Sequence, residues 1–325
     1  MGTDLGTGTG LAGLQHRLGA SRRFGVNAFT LKTLACVFMV MDHVGAFLPG
    51  APEWLRWAGR PAMPIFVFLI GWSVEYTRNR RALLVRLYAF GVIMSVVQSA
   101  LHLDANIFPT LFHIALVATL LREPDARRRT RNVALYCAYQ IGMFAAIYGS
   151  LSTLIDAFPA LVDRLPWGFQ YPLLALTGCA IGWDYGVFVI LMGVAFWACR
   201  GSKARLAVAF VAFDAVWMFF NNTHYGLSAF YRGARVLGAS PDMLTGFYAL
   251  MWRLFGFAPM GLGHTLAEYP QWAMILALPL MLLYDGRRGP GGPSGAVGRR
   301  AAKWFFYVFY PAHVVALVLV GQAMA

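Results

Sequence analysis

The chain has 325 residues and a formal net charge of +13, yet 59% of it is apolar and only 13% charged, against roughly 45–50% and 25% in an ordinary soluble domain. That balance argues against a soluble globule, and 25 Phe and 10 Trp in long apolar runs leave no polar face for a nucleic-acid footprint. The reading that remains is an all-α, polytopic bundle of transmembrane helices whose cations are segregated into loops. Cys36, Cys137, Cys179 and Cys199 form no CxxC pair and lie in apolar stretches. They read as small buried hydrophobes, so neither a metal site nor a disulfide framework is expected.

In chain order, residues 1–28 read as a flexible cytoplasmic segment, Gly/Thr-rich and then basic at Arg17, Arg22 and Arg23. The first apolar run, about 26–49, exceeds the roughly 7–15 residues of a signal-peptide core, so it is expected to stay in the membrane as the first span. Runs with the length of a spanning helix, about 17–25 residues, or somewhat shorter, fall near 29–48, 61–77, 84–101, 107–121, 132–150, 184–199, 206–221, 271–284 and 304–323. Two further apolar stretches, 169–182 and 243–262, are broken by Gly and Pro. They are either re-entrant elements buried in protein, or one of them adds a span, giving about 9–11 spans in all. Residues 29–325 are expected to form one integral-membrane domain, with the Gly/Pro-rich stretch 286–298 a cytoplasmic linker inside it. No repeat of fixed period stands out, which weakens the case for an inverted-repeat transporter.

All but six of the 27 basic residues fall in 17–32, 78–86, 122–131, 200–205 and 285–303; the six are Arg56, Arg60, Arg164, Arg232, Arg235 and Arg253. The positive-inside rule places those five segments, and with them the N-terminus, in the cytoplasm. The side of the C-terminus is left open.

Ionisable groups at membrane depth are costly and are functional candidates by default. Lys32 and His43 are eleven positions apart, close to three full turns, so they share a helix face about 16 Å apart along the axis. Asp42 points about 100° away from His43 and is expected to pair with another helix. Arg60, between Gly59 and Pro61, could be that partner or could stabilise an oxyanion. His313, Asp184, Tyr185 and His224 are further candidates. His113 and His264 read more readily as residues hydrogen-bonding one helix to another.

These residues fall in blocks that resemble the TraX family of polytopic membrane proteins, named for an enzyme that acetylates the N-terminus of a conjugative pilin. The blocks are Leu31 to Ala35, Met39 to Gly45, Gly59-Arg60, Pro64 to Leu69, Thr77 to Asn79, Arg86-Leu87, Asn106 to Leu111, Asp184 to Gly186, and Lys303 to His313. Lys32 with His43 is also similar, more distantly, to the Arg-x10-His pattern of the membrane acyltransferases that O-acetylate surface polysaccharides, with Lys in place of Arg. The stretches 151–182 and 222–262 depart from the family pattern, the second being rich in aromatics.

The resemblance implies an acyltransferase of the bacterial inner membrane that moves an acyl group, acetyl above all, from cytoplasmic acetyl-CoA or another acyl-CoA to an amine or hydroxyl at or beyond the outer face. His43, Asp42 and Arg60 are then the catalytic candidates. Lys32, Arg78, Arg81 and Arg86 offer cations to the CoA phosphates. The acceptor is left open between a pilin N-terminus, a polysaccharide and a lipid, and no metal is expected. No Ser or Cys stands in a GxSxG elbow, so direct transfer is expected rather than a covalent intermediate. The competing reading is a proton-coupled carrier or flippase that uses Asp42, His43, Asp184 and Asp214 as a relay.

Overall fold

A computed structural model describes residues 25–103, 106–182, 185–223, 225–257, 266, 269–289 and 296–324, with side chains left aside at 227 and 296–303. The described chain is helical, with no strand; its one β contact is an isolated bridge between Val26 and Tyr284. The helices are α1 (Ala28–Phe47), α2 (Trp54–Gly59), α3 (Ala62–Tyr76), α4 (Arg80–Leu101), α5 (Ile107–Leu121), α6 (Ala126–Ala157), α7 (Pro159–Val162), α8 (Gln170–Thr177), α9 (Gly186–Cys199), α10 (Lys203–Asn221), α11 (Tyr225–Val236) and α12 (Pro241–Phe255). A 3-10 turn, Pro270–Ala277, runs into α13 (Leu278–Leu282), and α14 (Ala296–Met324) ends the described chain.

Each of the nine apolar runs lies on a helix. Five helical stretches are long and apolar enough to cross a membrane: α1, α4, α6, α10 and Trp304–Met324 within α14. The shorter apolar helices include α5, α9 and Pro270–Leu282. Of the two broken stretches, 169–182 holds α8, only about 12 Å long at 1.5 Å per residue, and 243–262 holds most of α12. The stretch expected as a linker, 286–298, is tied down at its start, where the Ala28 and Phe29 amides donate to the Arg287 and Arg288 carbonyls at 2.9 and 3.2 Å. It runs into α14 from Ala296.

Helix starts follow the sequence chemistry. The side chains of Asn27, Asn79, Asn106, Asp125 and Ser202 accept backbone N–H bonds at the starts of α1, α4, α5, α6 and α10, satisfying donors that a helix leaves unpaired. In a hydrocarbon surrounding those donors have no water to turn to. Long apolar side chains such as Val85 and Val208 stay exposed on the outside of the bundle, as expected where lipid replaces water.

Small residues set the close contacts inside. A Cβ at Gly193 on α9 would meet Ile114 of α5 and lie 2.9 Å from Val67 Cγ1 of α3, and one at Gly71 would lie 3.1 Å from Trp197. The same three helices are tied at one end by a polar cluster. Glu75 of α3 pairs with Arg122 at the end of α5, pairs with Arg200 at 3.3 Å at the end of α9, and accepts the Trp197 indole N–H at 2.7 Å. This end also carries Lys32, Arg86 and Arg288, and is called the basic end below.

In a helix, Gly→Ala ordinarily stabilises by about 1 kcal/mol. Gly193→Ala should reverse that sign and lower the thermal midpoint in detergent, since overpacking a tight contact costs roughly 1–3 kcal/mol. Gly142→Ala on α6, whose added Cβ meets nothing within 4 Å, should leave the midpoint unchanged or raise it.

Candidate active site

Helix α1 is the spine of the site. It carries Lys32 near the basic end and the Asp42-His43 pair eleven positions further along, and its neighbours decide what each can do. His43 is buried, 9% exposed, and its Nδ1 lies 2.7 Å from Nε2 of His313 on α14. The two rings are nearly parallel, with centroids 4.9 Å apart. His313 Nδ1 in turn lies 2.7 Å from the Phe309 carbonyl.

The bonds fix the tautomers. A carbonyl can only accept, so His313 Nδ1 carries the proton and the neutral ring's Nε2 is an acceptor. His43 must then donate from Nδ1, which leaves its Nε2 with a lone pair. The pair therefore presents one imidazole as a base and uses the other to orient it. His313 was a secondary candidate in the sequence, and the structure makes it the direct partner of the first.

Asp42 turns away from His43 and pairs with two arginines of the α2 region, Arg60 Nη1 at 3.7 Å and Arg56 Nε at 3.5 Å. Gly59 makes this possible, since a Cβ there would run into the backbone and side chain of Asp42. The pairing with Arg60 is one of the two roles the sequence left open for that residue. Arg56 was not expected, although its position four residues before Arg60, on one face of a helix, is a signal that could have found it. Arg60 Nε and Asp42 Oδ1 are buried without a hydrogen-bond partner among the described residues.

Two cavities meet at this site. A small one, about 40 Å³, is lined by Asp42, His43, Arg60, Tyr185 and Gln271 among others. A larger one, about 380 Å³, opens towards the basic end and is lined by Lys32, Arg86, Arg288, Ser73, Trp72 and Tyr76 among others. Met39, Phe66, Ile107 and Tyr310 line both. The walls of the larger cavity are aromatic and aliphatic, and its cations lie on rings: Lys32 Nζ is 5.6 Å from the Phe306 centroid and Arg86 Cζ 5.8 Å from that of Tyr307.

The remaining sequence candidates divide. Arg78 and Arg81 are exposed and line neither cavity. Asp184, His224 and His264 lie outside the described residues. His113 is buried and meets the Tyr136 hydroxyl at 3.0 Å, tying α5 to α6 as expected of a helix-linking histidine. Asp214 is buried on α10 and lines neither cavity. Among the described residues no group of His, Cys, Asp and Glu could hold a metal.

The model of the family described as "TraX protein" matches residues 28–225. Protein TraX of Escherichia coli is 30% identical over 131 residues, 38% of this chain and 47% of that protein. A probable fimbrial assembly protein, FimC of serogroup H1, from Dichelobacter nodosus is 34% identical over 77 residues, 22% of this chain and 32% of that one. An uncharacterised Rickettsia prowazekii protein is 33% identical over 85 residues, 25% and 32% of the two chains. The matched part thus spans 32–47% of these relatives. No solved structure matches the chain.

Asp42 holds two cations at a largely enclosed site, so Asp42→Ala should lower the thermal midpoint in detergent, at a cost of roughly 1–3 kcal/mol for partners left unsatisfied. A double-mutant cycle, Asp42→Asn with Arg60→Gln, should give a coupling of about 0.5–3 kcal/mol. The cycle with the more exposed Arg56 should give less.

Proposed function

Because the chain belongs to the TraX family, we propose that it is a membrane-embedded acyltransferase that moves an acyl group, acetyl above all, from acyl-CoA to an amine or hydroxyl acceptor. One observation carries this reading: His43, bonded to His313, lines a small cavity that shares four lining residues with a larger one lined by aromatic rings and by Lys32, Arg86 and Arg288. On the positive-inside rule the basic end faces the cytoplasm, which in a bacterium makes this an inner-membrane protein drawing on cytoplasmic donor. The phosphates rest among Lys32, Arg86 and Arg288, and the pantetheine arm lies along the aromatic cavity with its thioester beside His43.

The acceptor enters from the opposite end. As its nitrogen or oxygen bonds to the thioester carbonyl carbon, His43 Nε2 takes its proton. The carbonyl π electrons move to oxygen, and Arg60 faces the resulting anion. Collapse of the tetrahedral species breaks the carbon–sulfur bond, and the departing thiolate recovers the proton from His43. The ring then regains its first tautomer. His313 is a positioning residue: it touches neither reacting atom, and its Nε2 accepts from His43 Nδ1 throughout, steadying the imidazolium while it exists. Asp42 holds Arg60 in place and offsets its charge. A pilin-type amine is a fitting acceptor given the name of the Dichelobacter nodosus relative, with polysaccharide and lipid as the other classes.

The test is transfer of radiolabelled acetyl from acetyl-CoA by the protein in liposomes with each acceptor class supplied. His43→Gln, which keeps a hydrogen-bonding group and loses the base, should cut turnover about 10²–10⁴-fold. Failure to turn over the thioester with any acceptor, or full activity in His43→Gln, would sink the proposal. His313→Phe should cost less, about 10–100-fold, the usual range when the group that orients an imidazole is removed. That loss should fall in kcat with the KM for acetyl-CoA unchanged, whereas a merely misfolded variant would bind the donor poorly as well.

A further inference from the structure

Two adjacent arginines follow α13, beyond residue 225 and so outside the stretch that the family model matches, and the structure treats them in opposite ways. Arg287 points outward, its side chain 70% exposed, and is neutralised by Asp285 at 2.6 Å. That hydrogen bond holds the Asp285 carboxyl below its ordinary range. Arg288 is exposed as well, but its side chain reaches the mouth of the larger cavity. It lies over the Tyr76 ring at 4.9 Å, donates to the Tyr76 carbonyl, and lines the larger cavity with Lys32 and Arg86.

The backbone around Arg288 is held in place. Val26 N donates to the Leu283 carbonyl and Asp285 N to the Val26 carbonyl, at 2.9 and 3.1 Å, and the Tyr76 hydroxyl donates to the Gly286 carbonyl. Gly286 and Gly289 bracket the arginines at φ +78° and +90°, values that a side chain strains. A Cβ at Gly289 would come within 2.7 Å of Asn27 Cγ, the cap of α1. The segment is thus a strap laid across the start of α1, and Arg288 is its cavity-lining residue.

Among the described residues no carboxylate lines this cavity, and neither Lys32, Arg86 nor Arg288 forms an ion pair. Arg86 Nε and Trp72 Nε1, both on its wall, are buried without hydrogen-bond partners. Three cations from three separate elements, held on rings and with no carboxylate paired to them among the described residues, repel one another until an anion arrives. One phosphate cannot answer all three, whereas two or more on an apolar stem match both the cations and the aromatic wall.

We propose that Arg288, held by this strap, is the third cation of a polyphosphate-binding mouth and closes over the phosphates of the donor with Lys32 and Arg86. The identity of that donor as acyl-CoA rests on the acyltransferase reading; the mouth itself does not. Arg supplies the two-pronged donor that Lys32 lacks.

The experiment is equilibrium dialysis of the full chain in detergent against radiolabelled CoA and, separately, radiolabelled pyrophosphate. Wild type should bind CoA, Arg288→Ala should weaken it at least tenfold, and Arg287→Ala should stay within twofold. Arg288→Lys, which keeps the charge and the strap's bulk, should fall between wild type and Arg288→Ala, and Gly289→Val should mimic the alanine variant by lifting the strap. The salt dependence of CoA affinity should be shallower in Arg288→Ala, because one fewer charge contact is screened. CoA binding equal in wild type and both Arg288 variants overturns the role of Arg288 and leaves the acyltransferase reading standing. Pyrophosphate binding that depends on Arg288, without CoA binding, supports the mouth and removes acyl-CoA as donor. Binding of neither anion by the wild type overturns the mouth and the acyl-CoA donor together.

Discussion

The hydrogen bond between His43 and His313 joins the first helix to the last, and the candidate chemistry depends on that closure. Residues 270 positions apart in sequence meet at 2.7 Å, and the bond works only because α14 packs directly on α1. A Cβ at Gly321 would strike the Phe47 carbonyl, so the lack of a side chain there lets the two backbones approach. Without His313, neither ring nitrogen of His43 would be specified. With it, the proton on Nδ1 is committed and the lone pair on Nε2 is free to act.

The charges of the bundle sort into three groups, and the contrast among them is informative. Asp42 is shared by Arg56 and Arg60, and Glu75 by Arg122 and Arg200. In both groups one carboxylate gathers two guanidinium groups, from the α2 region for Asp42 and from the ends of two helices for Glu75, which offsets cations in a low-dielectric surrounding. Lys32, Arg86 and Arg288 break that pattern. Among the described residues these three lie on rings and pair with no carboxylate, and under the proposal they are the cations left to meet a bound anion. Their arrangement makes sense as binding capacity held in reserve.

Much of the architecture was legible in the sequence because the bilayer imposes a simple rule, about 20 apolar residues per span, and every apolar run recognised by that rule is helical. The shared face of Lys32 and His43 followed from helical periodicity, and the pairing of Asp42 with Arg60 from the cost of leaving either alone. What the sequence withheld was contact between distant segments. Nothing in the local pattern of Tyr310-Pro311-Ala312-His313 says which helix it packs against, so His313 could not be ranked above other lone histidines. Arg288 was hidden for a different reason: Gly and Pro around it read as a linker by composition, and only the bridge between Val26 and Tyr284 turns that stretch into part of a wall. Arg78 and Arg81 show the converse, basic residues in the expected segment whose side chains project away from the cavity.

Cavity sizes add a constraint that charge alone does not. The space beside His43 and Arg60 is about 40 Å³, room for roughly three waters at about 10–15 Å³ each, and an acetyl group has about that many heavy atoms. The larger space behind it is about 380 Å³ and is walled by rings, with Met39, Phe66, Ile107 and Tyr310 forming the boundary between the two. Under the proposed chemistry a long acyl chain would have nowhere to go past that boundary except back along the channel its own carrier arm occupies. An acetyl group would fit beside His43 while the arm fills the aromatic cavity and keeps water from the thioester. The same four side chains that join the cavities would then set the size of the group transferred, and selectivity for a short acyl group would come from packing, independently of the cations that hold the donor.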